Sequence, residues 1–148
     1  MKKFFTSLLA VVVLIVGIYF IDGLFNLKPP KPTITIESNK VEVAQGSYCW
    51  SGVITAKCVD IIAPPEIIEH QELKPVLVSP EAKIKIEFNR EPKELGVNKW
   101  SSHDEIEDVP LNEDDVFLVP KEKGVYIYSV YGQWKKGSSS YVFVIEVK

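Results

Sequence analysis

Lys83-Ile84-Lys85-Ile86-Glu87-Phe88 places Ile84, Ile86 and Phe88 on one face and Lys83, Lys85 and Glu87 on the other. A period of two is the mark of a half-buried strand; a helix would scatter the same residues around its circumference. Working outward, Val76–Val78 precedes this strand, and Leu95–Trp100, Val116–Val119, Gly124–Tyr131 and Tyr141–Val147 follow it as further strands. Turn signals separate them at Ser79-Pro80, Arg90-Glu91-Pro92, Val119-Pro120-Lys121 and Lys136-Gly137-Ser138. Towards the N-terminus, Ile34 and Ile36 alternate with Thr33, Thr35 and Glu37, and Val41 and Val43 with Lys40 and Glu42. Ser38-Asn39 is the expected turn of that hairpin. Only Pro64–Leu73 reads as a helix, with Pro64 and Pro65 at its entry and Ile67, Ile68 and Leu73 along one face. The expected fold is all-β: an antiparallel sandwich with one short helix.

From residue 75 onward the strand order resembles an immunoglobulin-like sandwich. Val76–Val78 takes the place of a first edge strand, and Ile84–Phe88, Leu95–Trp100, Val116–Val119, Gly124–Tyr131 and Tyr141–Val147 those of strands B, C, E, F and G. The resemblance makes Trp100 the buried strand-C tryptophan. It also makes Lys123-Gly124-Val125-Tyr126 the approach to strand F, where a tyrosine hydroxyl closes back on the preceding corner. The chain departs from the pattern at Ile86 and Tyr128, which stand where the inter-sheet cysteines would be. Gly46-Ser47-Tyr48-Cys49-Trp50 ahead of Cys58-Val59-Asp60 is similar to small exported proteins of Gram-positive bacteria without an assigned activity. That likeness implies a location and no chemistry.

Lys2 and Lys3 precede an apolar run from Phe4 to Ile21, interrupted by Thr6, Ser7 and Gly17. Eighteen helical residues span roughly 27 Å, close to the ~30 Å hydrocarbon core. The basic pair predicts an N-terminus in the cytoplasm and the rest outside. Neither Gly17-Ile18-Tyr19 nor Ile21-Asp22-Gly23 offers small residues at both cleavage positions. An uncleaved signal anchor is therefore favoured over a secreted product of signal cleavage. The expected organisation is a transmembrane helix within 1–27, a stiff Pro-rich spacer over 28–32 and one extracytoplasmic domain over 33–148, with its immunoglobulin-like core from about 75.

Composition removes several functions. The 148 residues carry a net charge of −3, and the part beyond the anchor has fifteen basic against nineteen acidic residues. No basic footprint for nucleic acid exists. An acidic surface facing anionic lipid gains nothing electrostatically, so membrane attachment is expected to come from the anchor. Two His and two Cys cannot build a zinc finger. Arg90 is the single arginine, leaving little for bidentate phosphate recognition.

Cys49 and Cys58, nine apart and outside the membrane on this reading, are expected to form a disulfide. The spacing is too wide for a Cys-x-x-Cys redox pair. Tyr48 and Trp50 flank Cys49 on the opposite strand face, either as core or as an exposed aromatic patch for sugars or peptides. Trp134-Lys135-Lys136-Gly137 forms the tip of the last hairpin. A Trp beside two Lys suits an anionic or aromatic partner; the alternative is a solubilising turn with Trp134 tucked beneath it. Tyr48, Trp50, Trp134, Lys135 and Lys136 are thus the candidate binding residues.

Seven carboxylates between Asp104 and Asp115 form an acidic loop without the Asp-x-Asp-x-Asp-Gly spacing of a calcium site. A solvated face is the expectation there. His70 and His103 are the only imidazoles, and no Gly-x-Ser-x-Gly elbow or activated thiol accompanies them. The sequence reads as a non-catalytic, cofactor-free module, held to the membrane by its N-terminal helix, that binds an extracytoplasmic protein or wall component. The alternatives are an envelope glycan-binding module and, behind it, a wall-active hydrolase.

Overall fold

The computed structural model describes residues 7–17, 28–52, 55–101 and 105–148. Residues 7–17 form helix α1, with largely exposed side chains. Among the described residues no helix is long and apolar enough to cross a membrane. The span expected over Phe4–Ile21 falls in part outside the described residues.

The other described residues form a β-sandwich-like domain of eleven strands and one further helix. The strands are β1 (Pro32–Ile36), β2 (Asn39–Lys40), β3 (Ala44–Ser51), β4 (Ala56–Val59), β5 (Val76–Val78) and β6 (Lys83–Phe88). They continue as β7 (Glu94–Trp100), β8 (Ile106–Val109), β9 (Val116–Leu118), β10 (Gly124–Trp134) and β11 (Gly137–Val147). Helix α2 spans Pro64–His70, a turn shorter than the expected Pro64–Leu73. One sheet runs β2-β1-β6-β9; the other runs β4-β3-β11-β10-β7-β8, with β5 parallel to the far end of β11.

The inner faces meet as the alternation dictates. Ile34, Ile36, Ile84, Ile86 and Phe117 from the first sheet pack against Val97, Tyr128, Val130, Tyr141, Phe143 and Ile145 from the second. Ile86 and Tyr128, each 1% exposed, close the core where a cysteine pair was absent from the sequence. Val142, on the other face of β11, is covered by Ile67 of α2 together with Ala44, so the last strand is buried on both sides. The Tyr126 hydroxyl donates to the Glu122 carbonyl at 2.9 Å and pins the approach to β10.

Four expectations are corrected. Trp100 is half-buried and points away from the inter-sheet core, donating its indole N–H to Ser129 Oγ at 2.8 Å. Val97 holds the core position of β7, and three residues along a strand reverse the face. The first hairpin turns at Glu37-Ser38, one residue early, because both take positive φ (47° and 72°) as a type I′ turn requires. The acidic segment contains a strand: β8 pairs with β7, and Glu107 meets Lys99 at 2.6 Å. Finally, Pro29 and Pro30 are buried and Pro32 opens β1. The Pro-rich stretch read as a stand-off spacer therefore packs onto the domain, where the Tyr141 hydroxyl donates to the Pro30 carbonyl.

Candidate functional site

At the end of the sandwich where β10 turns into β11, Trp134 pairs with Gly137 across a two-residue turn made of Lys135 and Lys136. Gly137 is needed there. Its φ is +149°, and a Cβ would lie 2.0 Å from the Cys49 carbonyl oxygen of β3. That close approach brings Trp50 beside Trp134, edge to face at 5.6 Å between ring centroids. Phe88, the last residue of β6, meets Trp134 at 5.0 Å and Tyr141 at 5.9 Å. Four aromatic rings from four strands thus plug this end of the core.

The chain leaving β6 crosses over the plug. Trp134 donates its indole N–H to the Arg90 carbonyl at 2.8 Å, and the Arg90 guanidinium sits 5.7 Å from the Trp50 ring centroid. Lys93 donates its backbone N–H to the Gln133 carbonyl at 2.6 Å. The result is an open groove of about 380 Å³ lined by Trp50, Arg90, Glu91, Lys93, Trp134, Lys135 and Lys136. Four cations and one carboxylate rim an indole floor, on a chain whose net charge is −3.

Four of the five expected binding residues converge here, with one correction. Trp50 and Trp134 are 2% and 7% exposed, so they are the floor of the groove and not protruding contacts. Lys135 and Lys136 supply the exposed rim. Tyr48 lies elsewhere, in a second cleft of about 380 Å³ beside the disulfide, with Ser47, Asp60, Tyr131, Ser138 and Ser140. In that cleft Ser47 Oγ donates to Asp60 Oδ1 at 3.0 Å and Tyr131 Oη to Gln133 Oε1 at 2.8 Å. Cys49 and Cys58 are bonded directly across the β3–β4 pair.

Arg90 and Lys93 were not among the sequence candidates. Their signal was present in outline: the only arginine stands in a turn two residues after a strand-ending phenylalanine. Which hairpin that turn would face depends on strand order, and no local pattern encodes it.

His70 is exposed at the end of α2, in a cleft of about 590 Å³ with Ile62, Glu66 and Glu69; His103 lies outside the described residues. Among the described residues no group of three His, Cys, Asp or Glu side chains is placed to hold a metal. Asp115 has its carboxyl pushed up by partial burial and by the charges of Glu91 and Asp114. Comparison with protein-family models, curated proteins and solved structures returns no match to this chain.

Proposed function

We propose that the chain is a non-catalytic interaction module, tethered at the cell membrane by its N-terminal apolar segment, with its β domain on the extracytoplasmic side. The proposed contact surface is the groove floored by Trp50 and Trp134. One observation carries the reading: residues from β3, β10, the β6–β7 connection and the β10–β11 turn converge into a cationic, indole-floored groove on an otherwise acidic protein. Such a surface selects anionic partners with some apolar or aromatic character. An immunoglobulin-like assignment of the domain fits this use, since end loops of such sandwiches are common binding surfaces. It is supported by the pairing of β6 with β9 in one sheet, by β5-β11-β10-β7 in the other, and by the Tyr126–Glu122 corner.

The test compares capture of isolated envelope fragments by the full chain in mild detergent with capture by Lys135→Glu/Lys136→Glu. These exposed turn residues can change without disturbing the buried plug. Loss of capture at unchanged Tm is expected; equal capture would remove the groove from the reading.

Envelope glycan binding is a second reading, favoured by a different observation. The Tyr48 cleft sets two tyrosines among serine hydroxyls and Asp60, a combination suited to sugar rings and their hydroxyls. Retention on purified wall glycan that survives high salt and is lost in Tyr131→Ala would favour it over the charged groove.

A further inference from the structure

Resting on the membrane-tethered reading above, we infer that the occupant of the Trp50–Trp134 groove is the anionic headgroup surface of the bilayer carrying the tether. The first argument is where the chain enters the domain. Pro30 is held by the Tyr141 hydroxyl, and Pro32 pairs with Phe88, whose ring lies 5.0 Å from Trp134. The segment that follows the apolar run therefore joins the sandwich at the rim of the groove. Covalent geometry limits the stand-off: the seven residues between Ile21 and Pro29 reach about 25 Å at full extension. Leu24, Phe25 and Leu27 within them are themselves apolar. The groove end is thus the end nearest the membrane.

The second argument is composition at that end. Arg90, Lys93, Lys135 and Lys136 surround two indoles, and exposed Lys31 sits at the entry point. The indoles are the buried floor, so the contacts with headgroups fall to the cations, and clustered cations beside a tether read as binding to anionic lipid. Net charge does not describe this end, where the carboxylates lie to one side of the cations and Glu91 lines both the groove and the acidic cleft beside it. Glu91 and Glu94 stand near the cations, but Glu113, Asp114 and Asp115 lie on the opposite flank of Glu91, against Lys85 and Glu87 of β6. This segregation sets a tilt. The β10–β11 turn faces the headgroups, and the β6–β9 edge with its acidic turn is lifted away from them.

The test reconstitutes the full chain into vesicles of phosphatidylcholine alone or of phosphatidylcholine mixed with phosphatidylglycerol. A membrane-impermeant amine reagent is then applied and labelling is read lysine by lysine. Lys135, Lys136 and Lys93 are expected to lose labelling at least about fivefold in the mixed vesicles, since each cation near an anionic surface contributes roughly a factor of five. Lys85, on the acidic edge, and Lys121 and Lys123, at the far end, should label equally in both. High salt should restore the lost labelling, and Lys135→Glu/Lys136→Glu should abolish the protection of Lys93. A chain that floats with both kinds of vesicle yet labels identically in each overturns the inference and leaves the tether standing. Failure to float with neutral vesicles overturns the tether itself. Protection by soluble polyglutamate but not by phosphatidylglycerol would assign the groove to an acidic polymer and overturn the lipid assignment.

Discussion

Asp115 takes a left-handed conformation at φ 57°, which asparagine adopts as readily as aspartate. Its carboxyl is raised above the ordinary value of 3.8, first by burial and then by Glu91 and Asp114. A carboxyl raised in the folded state favours folding while protonated. That contribution is complete below the unfolded value and is lost as pH climbs through the folded one. Asp115→Asn should therefore raise stability at neutral pH by roughly a few tenths of a kcal/mol, the gain being small because solvent screens an exposed group. Thermal melts should show the gain vanish in acid. Tyr141 presents the opposite case: its hydroxyl is fully buried, and it donates to the Pro30 carbonyl. Tyr141→Phe strands that carbonyl, and chemical denaturation should read a loss of about 1–3 kcal/mol.

Among the elements, β4 depends most on a covalent tie. Its residues are mostly exposed, and it is held to β3 at the sheet edge by a four-residue ladder centred on Cys49–Cys58. Closing a loop of about ten residues contributes about 2.5–3 kcal/mol in the chain-entropy model, so Cys49→Ser/Cys58→Ser should lower unfolding free energy by that order. Gly137→Ala should cost at least about 1–3 kcal/mol, since its Cβ would meet backbone and not a side chain that can move aside. Equilibrium unfolding measures both. Elements with clean alternation were legible in the sequence: β6 lies at Lys83–Phe88, as the period predicts. Their ends were not. Gly124–Tyr131 runs on to Trp134 and Tyr141–Val147 begins at Gly137, because cross-strand pairing through small and polar residues such as Gly132 and Ser138 leaves no hydrophobic trace. β8 was hidden for the same reason, as an edge strand with carboxylates on its exposed positions carries little apolar signal.

For the molecule as a whole, Tyr128 and Tyr141 are both buried in the core, and burial raises both phenols above the ordinary value of 10.0. Their neutral forms belong to the folded state. Their contribution is intact below the ordinary phenol value and drains away as pH rises beyond it. Stopped-flow mixing at strongly alkaline pH should show these two tyrosinates ionising only as the core opens. The candidate site was partly legible at this scale. Trp134-Lys135-Lys136 announced itself as a hairpin tip, but Trp50 and Arg90 reach it only through tertiary pairing across dozens of residues. β11 has one more consequence. It partners β10, β3 and β5 at once, yet it is the last strand of the domain to leave the ribosome. Until its residues have emerged, three earlier strands lack their common neighbour. The second sheet of this domain therefore closes only once β11 is available, and its folding waits on contacts that are distant along the chain.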